Sequence, residues 1–186
     1  MNEQKDKPVS DLYFRIMAFL LALYHRVVDV RKELRRASIR GGQTVLDFGC
    51  GPGHYAVAAA DMVGGQGKVY ALDIHPLAIK AVEHKAKKKD LTNISTILSD
   101  RDTGLPGESI DVVLLYDTIH MIKDKWALLE ELHRVIKPNG LLSIITGHIK
   151  VEDVLEVVTE NSLFSLRDRH ATRHGTLLNF ERREGQ

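Results

Sequence analysis

Val45-Leu-Asp-Phe-Gly-Cys-Gly-Pro-Gly-His-Tyr55 decides the reading of this chain. An apolar, β-prone run, Thr44 to Phe48, ends in the alternating glycines Gly49, Gly51 and Gly53. A segment of helical period follows, with Ala56, Ala59, Ala60 and Val63 on one face. Strand, tight glycine turn and helix N-terminus is the arrangement with which open α/β sheets hold nucleotide-like ligands. Glycine lets a ligand approach the backbone closely, and the site falls in the crevice beyond the carboxyl ends of the strands.

Asp47 says more than the glycines. It closes the strand two residues before Gly49, and His54 stands where a dinucleotide fingerprint carries its third glycine. A pyrophosphate is a poor neighbour for a buried carboxylate. A ligand with ammonium and sulfonium groups and a ribose is a good one.

Leu46 to Gly53 resembles motif I of the class I S-adenosylmethionine-dependent methyltransferases, closest in flavour to the ubiquinone/menaquinone-biosynthesis group. The likeness runs from about Gly41 to Thr146. It implies a Rossmann-like doubly wound α/β sheet, mostly parallel with an antiparallel last strand, plus an N-terminal helix. It also implies S-adenosyl-L-methionine as cofactor. Residues 1–40 are expected to form a helical cap or packing segment and 41–186 the cofactor-binding domain.

Composition agrees with one globular domain. The chain has 186 residues, 44% hydrophobic and 27% charged, with net charge +1. Nothing in that balance compels a nucleic-acid partner, although a nucleic-acid or protein substrate stays open. One cysteine, Cys50, rules out an internal disulfide and fits a reducing, cytoplasmic setting. The start, Met1 to Ser10, is polar and lacks a signal-peptide pattern, and no apolar run reaches bilayer-spanning length.

Asp11 to Ala37 reads as one long helix with Leu12, Ile16, Phe19, Leu23, Val27, Val30 and Leu34 in an apolar stripe. One side packs on the domain. The other packs there too, forms a homodimer contact, lids the substrate pocket or meets a membrane surface. Arg31, Lys32, Arg35 and Arg36 read as a solvated face.

A second strand, Lys68 to Asp73, puts Asp73 about twenty residues past the last glycine, where an acid receives ribose hydroxyls. Ile74 follows at the same strand end, and His75-Pro76 opens the next helix as a turn residue and a first-turn proline. Lys85 to Lys89 reads as a solvated, dipole-complementing helix end. The third strand, Ile94 to Leu98, leads to Asp100 and Arg101. By resemblance, Asp100 bonds the adenine amino group and Arg101 presents its backbone N–H to the ring. Thr103 to Ser109 is too short for a helix before the fourth strand, Ile110 to Tyr116, which is apolar on both faces and so central.

That strand ends Tyr116-Asp117-Thr118-Ile119-His120. Tyr116 and Asp117 join the expected cofactor set, Asp117 at the ammonium end, with Asp47, Gly49, Cys50, Gly51 and Gly53. No Pro-Pro-aromatic follows an Asn or Asp here, which excludes the signature of amino methylation on adenine or glutamine. The single cysteine counts against covalent pyrimidine methylation and against arsenite methylation.

Asp124 caps a helix through Val135, with Trp126, Leu129, Leu132 and Ile136 inward. Lys137-Pro-Asn-Gly140 turns it into a fifth strand, Leu141 to Thr146, and Gly147-His148 follows on the functional rim. A helix from about Val151 to Glu160 precedes a hairpin, Phe164 to His170 and Thr176 to Arg182, around Arg173-His174-Gly175. His120 and His148 are the candidate catalytic residues, because histidine suits removal of a proton from a phenol or alcohol near neutral pH. No metal is assigned, although Asp117, His120 and His148 would be the ligand set if their loops converged. A small molecule is the preferred acceptor. The rival readings are a nicotinamide-dependent oxidoreductase and a non-catalytic cofactor-binding partner subunit.

Overall fold

The computed structural model describes residues 6–25 and 27–184. Met1 to Lys5 of the polar start and Arg26 of the expected long helix lie outside them.

Seven strands form one sheet in the order β3-β2-β1-β4-β5-β7-β6. They are β1 Thr44–Phe48, β2 Lys68–Asp73, β3 Ile94–Leu98, β4 Ile110–Tyr116, β5 Ile136–Ile145, β6 Phe164–Thr172 and β7 Gly175–Arg182. The first five run parallel, and β7 lies antiparallel between β5 and β6. The doubly wound sheet with an antiparallel last strand is therefore present.

Period-two alternation in β1 and β4 divides the core. Val45, Val112, Leu114 and Tyr116 face one layer with Leu34, Ala56, Ala60 and Val82. Leu46, Phe48, Val113 and Leu115 face the other, with Leu128, Leu132, Val154 and Val158. The helices of the first layer are α2 Val30–Arg36, α3 His54–Val63 and α4 Pro76–Lys88, and those of the second are α5 Lys125–Val135 and α6 Val151–Thr159. β4 is buried on both faces, as a central strand must be. No helix intervenes between β3 and β4.

Three expectations are corrected. The N-terminal segment is two helices, α1 Asp11–Tyr24 and then α2. Ser10 caps the first, while Asp29 caps the second by accepting from the Lys32 N–H, so the chain restarts where a continuous stripe had suggested one helix. Trp126 is not inward but 43% exposed. The buried face of α5 is Leu128, Leu129, Leu132 and Val135, whose centre lies roughly 130° around the helix from Trp126 at 3.6 residues per turn. Lys137 to Gly140 is a bulge inside β5 rather than a turn before it. Ile136 pairs with Ile110 and Leu141 with Val112, and the Lys137 ammonium is held 2.7 Å from Asp111 Oδ1 across the irregularity.

α1 contributes one buried side chain, Phe14. Its first turn meets the turn after β2, where Phe14 stacks on His75 at 4.4 Å. Its far end meets the β6–β7 turn and the start of α3, with Tyr24 against His174 and His25 against His54. The helix thus lies across the carboxyl ends of the strands with Leu12, Ile16, Phe19, Leu20 and Leu23 exposed. No helix among the described residues is long and apolar enough to cross a membrane.

Candidate functional site

The three glycines after β1 all have positive φ, at 74°, 50° and 80° for Gly49, Gly51 and Gly53. They serve different purposes. A Cβ on Gly49 would fall 2.5 Å from Thr118 Cγ2, and one on Gly53 2.5 Å from Val82 Cγ2. Those two are glycine so that the loop can pack against β4's exit and against α4. A Cβ on Gly51 would meet nothing within 4 Å, so Gly51 borders open space.

The loop's backbone donors are already engaged. The Gly49 and Cys50 N–H groups both donate to Leu72 O, Gly51 N–H to Asp73 Oδ2 at 2.8 Å, and Gly53 N–H to Cys50 O. A pyrophosphate approaching these residues would find those four donors spent. This counts against a dinucleotide.

Asp47 is 3% exposed and its Oδ2 has no hydrogen-bond partner among the described residues. Burial pushes its carboxyl up to about 7, with the Asp73 charge adding to the rise and the Ala56 N–H at the start of α3 opposing it. A buried acid with an orphaned oxygen beside an open glycine is what a cationic group would complete. Asp73, at the end of β2, accepts from Gly51 through Oδ2 and from His75 N–H through Oδ1, each at 2.8 Å. Burial raises its carboxyl, and the N–H groups of His75, Gly51 and Ile74 offset part of that rise. Each oxygen keeps a lone pair, so the carboxylate can still receive two hydroxyls. The residues present fit S-adenosylmethionine's charges and ribose.

His75 is a turn residue, as its sequence position suggests. Its Nδ1 accepts from Leu77 N–H and caps α4. Asp100 sits half-buried just after β3, and the Arg101 N–H faces Ser99 Oγ at 3.4 Å. The Tyr116 side chain is in the core, its hydroxyl 3.1 Å from Ser143 Oγ, and its carbonyl accepts from Thr118. The Cys50 thiol is buried and held well above its ordinary range by burial and the nearby acids, so it is an inert thiol and no nucleophile. Lys85 departs from the solvated-end reading. It is half-buried, and its ammonium donates to Pro52 O at 2.6 Å, bracing the glycine loop from α4.

At the far side of the crevice, the exits of β4 and β5 converge. Asp117 takes a left-handed conformation, φ 52°. Its Oδ1 lies 4.0 Å from His120 Nδ1 and 3.9 Å from His148 Nδ1, and its Oδ2 lies 3.6 Å from His174 Nε2. The rings of His120 and His148 meet edge to face at 4.7 Å. Asp117 and the two candidate catalytic histidines are thus brought together, and His174 joins them from the β6–β7 turn. Sequence reasoning missed His174. Its visible signal was its place beside Gly175 in a hairpin turn next to the last parallel strand. Burial lowers His120, with the Asp117 carboxylate opposing the shift. A small hollow of about 210 Å³ opens beside His120, lined by Ile119, Ile149, Val154 and Val157 with Lys125 and Asp153.

α1 roofs the crevice through aromatic contacts. His25 lies tilted against His54 at 4.4 Å and meets Tyr55 edge to face at 5.4 Å. Burial and Lys85 push His25 down to about 4 and His54 to about 3, so these rings meet uncharged. Tyr55 hydrogen-bonds the buried Glu33 of α2. α2 therefore fastens the roof to the start of α3.

Comparison with known proteins agrees with this geometry. A family model described as a methyltransferase domain matches residues 39–174. The chain is 30% identical over 149 residues to a demethylmenaquinone methyltransferase of Geobacillus kaustophilus, an alignment covering 76% of this chain and 63% of that relative. The chain thus accounts for less than two thirds of that relative's length. It is 36% identical over 107 residues to an aklanonic acid methyltransferase of a Streptomyces species, covering 56% of this chain and 46% of that one. Among solved structures, an S-adenosylmethionine-dependent methyltransferase from Aquifex aeolicus superposes with a TM-score of 0.76 at 26% identity, covering 83% of this chain and 89% of that chain.

Proposed function

The chain belongs to the class I S-adenosylmethionine-dependent methyltransferases, and from that premise we propose that it methylates a small, partly apolar acceptor carrying a hydroxyl. The observation that carries the cofactor assignment is the buried, half-orphaned Asp47 beside the open side of Gly51. Asp47 and the Gly49–Gly53 loop would hold the methionine end, Asp73 the ribose, and Asp100 and Arg101 the adenine. Asp117 would add negative charge toward the ammonium.

The cofactor supplies an electron-poor methyl and its own leaving group. What the protein contributes is position and, for a hydroxyl acceptor, a place for the proton. The Asp117 carboxylate beside Nδ1 of His120 and His148 favours the proton on that nitrogen. The lone pair then lies on Nε2, the atom that would take the acceptor's proton. The apolar hollow beside His120 suits a modest hydrocarbon portion of the acceptor. The α1 roof keeps water from the crevice. The names of the two curated relatives, acting on a demethylmenaquinone and on aklanonic acid, support a small-molecule acceptor.

Calorimetric titration with S-adenosylmethionine, S-adenosylhomocysteine and NADH, beside the Asp73→Ala variant, tests the reading. Binding of the first two, lost in the variant, is expected. NADH binding alone would overturn it, and cofactor binding without turnover on any phenolic or alcoholic acceptor would turn the assignment to a cofactor-binding partner subunit.

A further inference from the structure

The structure assigns a second site at the exits of β4 and β5: we propose that Asp117, His120 and His148 bind a divalent transition-metal ion, with His174 orienting the carboxylate. The inference rests on the geometry of the cluster and stands whether or not the acceptor reading holds.

One ligand atom from each of the three side chains lies within 4.8 Å of the others. Ions of this class sit about 2.0–2.2 Å from imidazole nitrogen and carboxylate oxygen, so ligand atoms on opposite sides are at most roughly 4.2 Å apart. The two Asp117–histidine separations, 4.0 and 3.9 Å, already fall below that limit. The remaining closure falls to the His120 and His148 side chains, 29% and 69% exposed.

Two features show the carboxylate is placed and not merely present. Asp117 Oδ1 is buried and has no hydrogen-bond partner among the described residues, yet it is the oxygen that faces both imidazoles. Gly147, at φ 57°, is glycine because a Cβ there would run into the Asp117 carboxylate. Asp117 itself holds a left-handed backbone that a non-glycine residue adopts at a cost. The other oxygen, Oδ2, is addressed by His174, the outer partner that ligating carboxylates commonly have.

Donor chemistry sets the class of ion. Two imidazoles and one carboxylate suit zinc, iron(II), cobalt(II) or nickel(II), whereas magnesium and calcium prefer oxygen alone. Three protein ligands leave positions open on an exposed side, since His148 is 69% exposed at its side chain. An ion there would carry His120 and His148 as ligands in place of their role as bases, and an acceptor oxygen bound at an open position would be acidified directly.

The test is a titration of the purified full chain with cobalt(II) chloride, read by visible absorption, and with zinc chloride, read by calorimetry, without cofactor or acceptor. One equivalent is expected for each metal, with imidazole-type visible bands for cobalt. His148→Ala, His120→Ala and Asp117→Asn should each lose that equivalent while retaining the parent's circular dichroism spectrum and melting temperature. His174→Ala should bind about 10–100-fold more weakly. His84→Ala, an exposed histidine on α4, should bind as the parent does. Absence of stoichiometric binding, or binding that survives His148→Ala and Asp117→Asn, overturns the proposal. Failure here leaves the S-adenosylmethionine titration untouched, so the two readings fall separately.

Discussion

Replacing Asp47 by Asn should make the ligand-free protein more stable. In the unfolded chain this carboxyl ionises near 3.8, and in the fold burial moves it to about 7. Between those values the unfolded state has released the proton and the native state retains it. Stability therefore falls as pH rises from about 4 to 7, and the full cost is present above 7. At about 1.4 kcal/mol for each pH unit separating the two values, that cost is roughly 4 kcal/mol at pH 8 and roughly 1–2 kcal/mol at pH 5. An amide keeps the acceptor for the Ala56 N–H and the volume but cannot ionise. Asp47→Asn should thus gain roughly 3–4 kcal/mol at pH 8 and a smaller amount at pH 5, read from urea denaturation of both proteins without ligand. The same variant should lose the stabilisation that S-adenosylmethionine gives the parent. In the parent, cofactor affinity should rise about tenfold per pH unit below 7 and then level, because the cation is matched by the ionised form. An Asn variant no more stable than the parent at pH 8, or a gain that does not grow between pH 5 and pH 8, would refute the electrostatic account of this site.

Two further outcomes separate packing from ligand contact. Gly53→Ala sets a Cβ against Val82 at φ 80° and should cost about 1–3 kcal/mol in thermal or chemical unfolding. Gly51→Ala has open space around its Cβ and should cost only the about 1–2 kcal/mol of a left-handed alanine, yet lower cofactor affinity by calorimetry about tenfold or more. Phe14→Ala removes the one buried side chain of α1. Global unfolding should lose only a fraction of the about 3–5 kcal/mol that a core Phe→Ala costs, while limited proteolysis between α1 and α2 should accelerate and cofactor affinity should fall.

The sheet was legible because its signals are local. Val45 to Gly53 carries strand, turn and helix start in nine residues, and β2 to β5 each reach an acid or glycine within two residues of their ends, at Asp73, Asp100, Asp117 and Gly147. Asp47 and Asp73 stood at strand ends, and topology brings such ends to one crevice, so their placement could be read with no contact known. The rim cluster was harder. Asp117 and His120 are neighbours in sequence, but His148 and His174 arrive from other loops, and the return of β7 alongside β5 sets His174 against Asp117. Lys85 looked like one of several lysines at a helix end, and the helix phase that points it at Pro52 depends on how α4 seats on β2 and β3. Periodicity also overran the break in the N-terminal segment. Asp29 held the signal for it, a capping residue in the middle of an apolar stripe, because hydrophobic spacing does not register where a backbone restarts. Trp126 was misplaced because a three-residue spacing to Leu129 looked inward until Leu128 shifted the buried arc.

The position of β7 also shapes how the chain is made. β5 ends at Ile145, but its outer neighbour β7 begins at Gly175 and closes at Arg182. At about 5–20 residues per second, a ribosome needs roughly 2–7 s to supply the missing strand. During that interval β5, whose buried run Leu141 to Ile145 is apolar except for Ser143, is a bare sheet edge that a neighbouring nascent chain can pair with. Nascent-chain handling during those seconds, more than the equilibrium stability of the finished sheet, should govern how much soluble protein a cell recovers.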